Sequence, residues 1–111
     1  MNTELKQLIE DAAKLLGLGQ MYWAGGITIP SFLIVEHSPD NRFNPADPER
    51  GDLRKVAEAA ELVIDMREGL IYYYTNSKGF NAKTFFTKGD YQSLAYAVLR
   101  AASAVLKARG E

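Results

Sequence analysis

The sequence predicts one α+β domain over residues 1–111, with an antiparallel sheet that is covered by helices on both faces. Two observations favour this class. Long segments with helical apolar spacing alternate with pairs of short apolar runs that are bounded by turn residues. The size also fits, because 111 residues with 47% hydrophobic and 24% charged side chains are typical of a single globular core. The expected order is helix, strand, strand, helix, strand, strand, helix, which gives a four-stranded sheet.

Three segments have the apolar spacing of three and four residues that is typical of amphipathic helices. The first extends from the N-terminal residues to Gly17 or Gly19, either of which can end a helix in the left-handed conformation. The second begins at Asp47, where an N-cap aspartate precedes a proline, and runs to about Ala60. The third follows an N-cap at Asp90, has the clearest pattern and is rich in alanine.

The predicted strands lie in two pairs between these helices. One pair spans about residues 20–24 and 32–37, and the other spans 62–66 and 70–75 with a tight turn between them. Residues 38–48 hold three of the four prolines and predict an irregular connection. Residues 84–87 fit either a fifth short strand or an apolar loop that packs on the sheet.

Most residues needed for common catalytic and metal sites are missing. The chain has no cysteine, which excludes disulfides, thiolate catalysis and cysteine-bound zinc. His37 is the only histidine, and the oxygen-rich residues near it, Asp40, Asn44 and Asp47, do not have the spacing of an EF-hand calcium loop. No phosphate-binding glycine loop or nucleophile elbow occurs. We therefore predict no enzyme activity, no cofactor and no catalytic or metal-binding residue.

The segment from Tyr72 to Lys88 is the best candidate for a binding surface, because it interleaves aromatic and basic side chains. This composition suits a protein interface, and it also suits single-stranded nucleic acid, whose bases stack on aromatic rings. In a third interpretation, the aromatic residues anchor a long loop to the core and the lysines keep it soluble. Strand alternation puts Tyr72 and Tyr74 on one face, with Tyr73 and Ile71 on the other. The candidate partner-binding residues are Tyr72, Tyr74, Lys78, Phe80, Lys83, Phe85, Phe86 and Lys88.

Short motifs spread along the chain carry a family resemblance. They are the helix start Asn2-Thr3-Glu4-Leu5, Trp23 before Gly25-Gly26, Phe43-Asn44-Pro45, Asp52-Leu53, and Gly89-Asp90 before the last helix. Together they resemble small phage and prophage proteins of the phage ABA-sandwich type. The resemblance covers most of the chain and implies a layered fold with helices on both faces of an antiparallel sheet. It also implies a gene carried by a mobile element, and it implies no catalytic residue.

The expected function rests on the missing catalytic motifs, the aromatic and basic segment and this resemblance. We predict a small non-enzymatic phage or prophage accessory protein that binds a host macromolecule, with a host or phage protein favoured over nucleic acid. One alternative is an inhibitor of a host defence system, as anti-CRISPR proteins are. Another is a nucleic-acid-binding module that uses residues 72–88. A third alternative is a homo-oligomer whose subunits pair through an exposed strand edge.

The expected location is the cytoplasm of the bacterial host. No apolar run approaches the roughly 20 residues that a membrane span needs, and acidic residues interrupt the N-terminal stretch where a signal peptide would be apolar. The net charge of −1 does not favour binding to a polyanion through bulk charge. We therefore predict no membrane partner.

Overall fold

The computed structural model describes residues 3–18, 21–24, 32–35, 42–45, 48, 51–75 and 82–110. Three helices and six strands lie in these ranges. The helices are α1 (Thr3–Leu15), α2 (Asp52–Ala59) and α3 (Tyr91–Ala108). The strands are β1 (Met21–Ala24), β2 (Phe32–Val35), β3 (Arg42–Phe43), β4 (Val63–Asp65), β5 (Leu70–Tyr73) and β6 (Ala82–Phe85). No helix in this part of the chain is long and apolar enough to cross a bilayer.

The helices and the antiparallel strand pairs confirm the predicted α+β class. The strand arrangement differs from the predicted four-stranded sheet, because the described strands form two three-stranded sheets. The first sheet has the order β1–β2–β3 and the second has the order β4–β5–β6. In each sheet, the third strand is the one that follows the predicted hairpin in the chain. β3 arises inside the connection predicted to be irregular, where Phe43 pairs with Leu33, and β6 pairs along the whole of β5.

Helix α3 lies at the centre of the core, because it contacts both other helices and strands β5 and β6. Its predicted N-cap is confirmed: Oδ1 of Asp90 accepts hydrogen bonds of 3.0 and 3.3 Å from the N–H groups of Gln92 and Ser93. Its buried side chains reach well beyond one face, since several elements surround it. They are Ala95, Ala97, Val98, Leu99, Ala101, Ala102, Ser103, Val105 and Leu106.

Helix α1 connects α3 to the first sheet. Its side chains Leu8, Ile9, Ala12 and Ala13 are buried in the same apolar cluster as those of α3. On the side of the first sheet, Trp23 donates a 2.7 Å hydrogen bond from its indole Nε1 to Oε1 of Glu10. This bond holds β1 against the helix.

Helix α2 begins later than predicted. Asp47 lies outside the described residues, and the helix starts at Asp52 after an N-cap at Gly51. Asp52 is only 3% exposed, and its Oδ2 accepts a 2.9 Å hydrogen bond from the backbone N–H of Asn44. This contact between the first turn and the end of β3 is a tertiary one, which a local capping signal does not contain. The sequence predicts a core face of Leu53, Val56, Ala57 and Ala60 for this helix; three of these are buried, and Ala57 is half-buried and packs against the same cluster.

Candidate binding surface

The prediction of helices on both faces does not hold for the second sheet, because one face packs against the helical core and the other carries the exposed side chains of Val63 and Phe85. Ile71 is fully buried, and its cross-strand neighbours Ile64 and Thr84 share its face. Because side chains alternate along a strand, the residues between these three point the other way. We call that side the outer face. It consists of Val63, Asp65, Leu70, Tyr72, Lys83 and Phe85.

Three of the predicted partner-binding residues meet on the outer face. Tyr72 lies opposite Lys83 in the pairing of β5 with β6, and Phe85 follows Lys83 by two residues on β6. Phe85 is 68% exposed and Val63 is 47% exposed. The Nζ atom of Lys83 lies 5.9 Å from the centroid of the Phe85 ring, within cation–π range. The outer face therefore combines exposed apolar area with a positive charge.

Phe86 does not belong to the surface for which it was predicted. Its side chain is only 8% exposed and packs in the core. Its backbone N–H donates a 3.0 Å hydrogen bond to the carbonyl oxygen of Gly69, which continues the pairing of β5 with β6 by one step. Phe86 therefore faces opposite to Phe85. The interpretation in which an aromatic residue anchors this segment holds for Phe86, whereas Phe85 faces solvent.

Tyr74 and Lys88 lie elsewhere. Tyr74 follows the end of β5, so strand alternation no longer sets its direction, and it lines a cavity of about 380 Å³ beside Val105 near the end of α3. The Nζ atom of Lys88 donates a 2.8 Å hydrogen bond to the carbonyl oxygen of Arg67 in the turn between β4 and β5. The predicted placement of Tyr73 with Ile71 agrees with its packing against the core.

Two of the predicted surface residues, Lys78 and Phe80, lie outside the described residues, as do His37, Asp40 and Asp47. Within the described ranges, no group of three histidine, cysteine, aspartate or glutamate side chains is placed to hold a metal ion. The structure thus brings together Tyr72, Lys83 and Phe85 and separates them from Tyr74, Phe86 and Lys88.

Comparison with known proteins adds nothing to this geometry. No family model, curated protein or solved structure matches the chain. The resemblance to small phage proteins therefore stays a prediction, and the function must be argued from the side chains themselves.

An apolar groove that the sequence did not predict runs between α2, β4 and the start of α3. It has a volume of about 630 Å³. The rim carries Arg54, whose Nε lies 3.1 Å from Oε1 of Glu58, and Glu61, whose Oε2 lies 3.9 Å from Nη2 of Arg109. The sequence marks the floor residues as apolar but contains no signal that they border a concave site. These floor residues are Leu53, Ala57, Leu62, Ile64, Tyr91 and Leu94.

Proposed function

We propose that this chain is a non-enzymatic binding protein that holds a partner protein against the outer face of its second sheet. The observation that carries the proposal is Phe85, which is 68% exposed on a regular strand beside Lys83. Burial of a phenylalanine side chain is worth about 1.5–3 kcal/mol. A partner that covers Phe85 gains free energy that the fold leaves unused, as aromatic hot spots at interfaces do.

A protein partner fits the outer face better than nucleic acid does. Binding to single strands depends on several cations that follow the phosphate backbone. On the outer face Lys83 is the only basic side chain, and Asp65 adds an acidic one. Lys88 is engaged with the carbonyl oxygen of Arg67 at the end of the sheet. The outer face therefore favours a protein over nucleic acid, and nuclease treatment distinguishes the two kinds of partner.

The setting that we propose is a small accessory protein of a phage or prophage that acts on a host protein in the bacterial cytoplasm. An inhibitor of a host defence system is one form of this role. The support for this setting is the motif resemblance at positions such as Phe43-Asn44-Pro45 and Gly89-Asp90, together with the small size of the chain. The outer face itself favours a partner protein without specifying the origin of that protein.

The test uses the full chain as immobilised bait in nuclease-treated bacterial lysate, with and without phage infection, and quantitative mass spectrometry of the bound proteins. Phe85→Ser removes the exposed ring of the outer face. Tyr22→Ser is the matched control, because Tyr22 is a 52% exposed aromatic residue on the first sheet. We expect at least one protein to be captured by the wild type and by Tyr22→Ser and lost with Phe85→Ser.

Two results would overturn the proposal. One is the capture of no protein above background, and the other is an equal loss of captured protein in both variants. Circular dichroism and the thermal midpoint of each variant show whether the fold is kept, which we expect because both side chains are exposed. Binding that appears only without nuclease treatment would indicate nucleic acid as the partner.

A further inference from the structure

We propose that the partner surface is acidic, with a carboxylate that pairs with Lys83 when an apolar or aromatic side chain covers Phe85. This inference rests on the proposed function, because it specifies the chemistry of the protein that the outer face would hold. In the described part of the chain Lys83 is an exposed cation without an ion pair, as Lys14 and Lys107 are, and it differs from those two because it lies beside the exposed ring of Phe85.

Several exposed arginines already have an acidic partner within the chain. Arg54 pairs with Glu58 at 3.1 Å, and Arg100 pairs with Glu4 at 3.3 Å. Among the described residues, no carboxylate lies within ion-pair distance of Lys83, whose charged group faces the ring of Phe85 at 5.9 Å. The fold therefore leaves the charge of Lys83 for solvent or for a partner.

The outer face carries one basic side chain, Lys83, and one acidic side chain, Asp65, whereas the segment that contains β5 and β6 is basic in sequence. Between Glu68 and Asp90 the sequence holds three lysines and no acidic residue. The acidic side chain of the outer face, Asp65, is occupied locally, because its Oδ1 accepts hydrogen bonds of 3.0 Å from the N–H groups of Arg67 and Glu68. Asp65 lies on β4 and Lys83 on β6, at opposite edges of the second sheet, so Asp65 does not pair with Lys83.

Covering Phe85 places the partner directly over Lys83. A cation that loses water without gaining an opposite charge weakens binding, and like charges across an interface do so more strongly. A partner with a carboxylate at this position avoids both costs and also gains faster association through long-range attraction. Charge complementarity therefore favours an acidic partner with an apolar centre.

The test is an NMR titration of the ¹⁵N-labelled full chain with two probes, a random copolymer of glutamate and tyrosine and a single-stranded oligothymidylate of 15 nucleotides. We expect the copolymer to shift amide signals of β5 and β6 around Tyr72, Lys83 and Phe85. Lys83→Glu should weaken this binding about five- to tenfold, in line with about 1 kcal/mol for a change of charge at an interface rim. Lys107→Glu is the matched control, since it makes the same charge change on the exposed last turn of α3.

Every outcome decides the inference. Shifts confined to the outer face and weakened by Lys83→Glu alone support it. It is overturned if neither probe binds, if the oligothymidylate binds the outer face in preference to the copolymer, or if both charge reversals weaken the copolymer equally. The lysate experiment separates this result from the proposed function. If capture is lost with Phe85→Ser and kept with Lys83→Glu, the outer face is a binding surface whose partner is not acidic.

Discussion

Ser103 donates a 2.7 Å hydrogen bond from its hydroxyl group to Oδ2 of Asp11 and so joins α3 to α1 inside the protein. Both side chains are buried, and Nε2 of Gln7 donates a 3.0 Å hydrogen bond to the other oxygen of Asp11. No buried side-chain nitrogen or oxygen in the described part of the chain lacks a hydrogen-bond partner. The side chains of Gln7, Asp11 and Ser103 therefore form one hydrogen-bonded network between α1 and α3.

The first prediction concerns this bond. Ser103→Ala leaves one oxygen of the buried carboxylate without a partner and should lower the free energy of unfolding by about 1.5–3 kcal/mol, as measured by urea denaturation. The double variant Asp11→Leu/Ser103→Ala removes both polar groups and should be more stable than Ser103→Ala alone. A single variant as stable as the wild type would show that the bond contributes nothing net.

The second prediction concerns the end of α2, where Glu61 has a positive φ of 55°. The N–H of Leu62 donates a 3.0 Å hydrogen bond to the carbonyl oxygen of Ala57. A helix that ends with this bond places Glu61 in the left-handed conformation, which glycine adopts more easily than glutamate. Glu61→Gly should raise the free energy of unfolding by up to about 1 kcal/mol. Glu61→Gln keeps the strain and loses only the exposed contact with Arg109, so it should not stabilise the protein. A Glu61→Gly variant less stable than Glu61→Gln would contradict this account.

The third prediction concerns the turn between β4 and β5. Gly69 has a φ of 69°, and a Cβ atom there would lie 2.8 Å from the carbonyl oxygen of Phe86. Gly69→Ala should therefore lower the free energy of unfolding by more than about 2 kcal/mol, since a steric clash adds to the backbone strain. Gly89→Ala is the control, because Gly89 also has a positive φ but has no atom within 4 Å of an added Cβ. If both variants lose the same free energy of unfolding, the backbone at Phe86 moves away from the added Cβ atom without an energetic penalty, which contradicts this prediction.

The fourth prediction concerns the surface cluster formed by exposed Glu4 and Arg100 with half-buried Tyr96. The Tyr96 hydroxyl group, followed by the Arg100 guanidinium, lowers the pKa of the Glu4 carboxyl below its ordinary value of 4.5. Because the pKa is lower in the folded state, the contribution of Glu4 to stability is complete above pH 4.5 and is lost as the pH falls through the folded-state pKa. Glu4→Gln should therefore lower the free energy of unfolding at pH 7 and make no difference below that pKa.

A ¹³C NMR titration of the Glu4 carboxyl tests this pKa directly. Tyr96→Phe removes the hydroxyl group and should move the titration midpoint of Glu4 up toward 4.5. Tyr72→Phe, which makes the same change on the outer face of the second sheet, should leave the midpoint where it is. A Glu4 midpoint that is the same in the wild type and in Tyr96→Phe would exclude the hydroxyl group as the cause.

Sequence reasoning succeeded where the determining contacts are local. The N-cap at Asp90 depends on N–H groups two and three residues away, so a short motif predicts it. The start of α2 depends on a bond between Asp52 and Asn44, and the split into two sheets depends on where β3 and β6 find partners. These are tertiary choices that no short motif contains.

The candidate surface could be predicted only in part, because strand pairing is also a tertiary contact. The sequence predicts a short strand or an apolar loop over residues 84–87, but alternation alone does not say which of two adjacent phenylalanines faces the core. The pairing of Phe85 with Leu70 and the bond from the N–H of Phe86 to Gly69 decide that question. The groove beside α2 has no sequence signal, because its apolar floor residues come from three separate elements.

The central position of α3 also sets the order in which the chain can mature on the ribosome. This helix follows every other described element in sequence, and its Ser103 bonds to Asp11, 92 residues earlier. While the chain is being synthesised, α1, α2 and both sheets leave the exit tunnel before the helix that joins them. The apolar side chains that pack on α3 therefore stay uncovered by this helix until it has emerged. The second sheet gains the helix that packs on its inner face only at that late step.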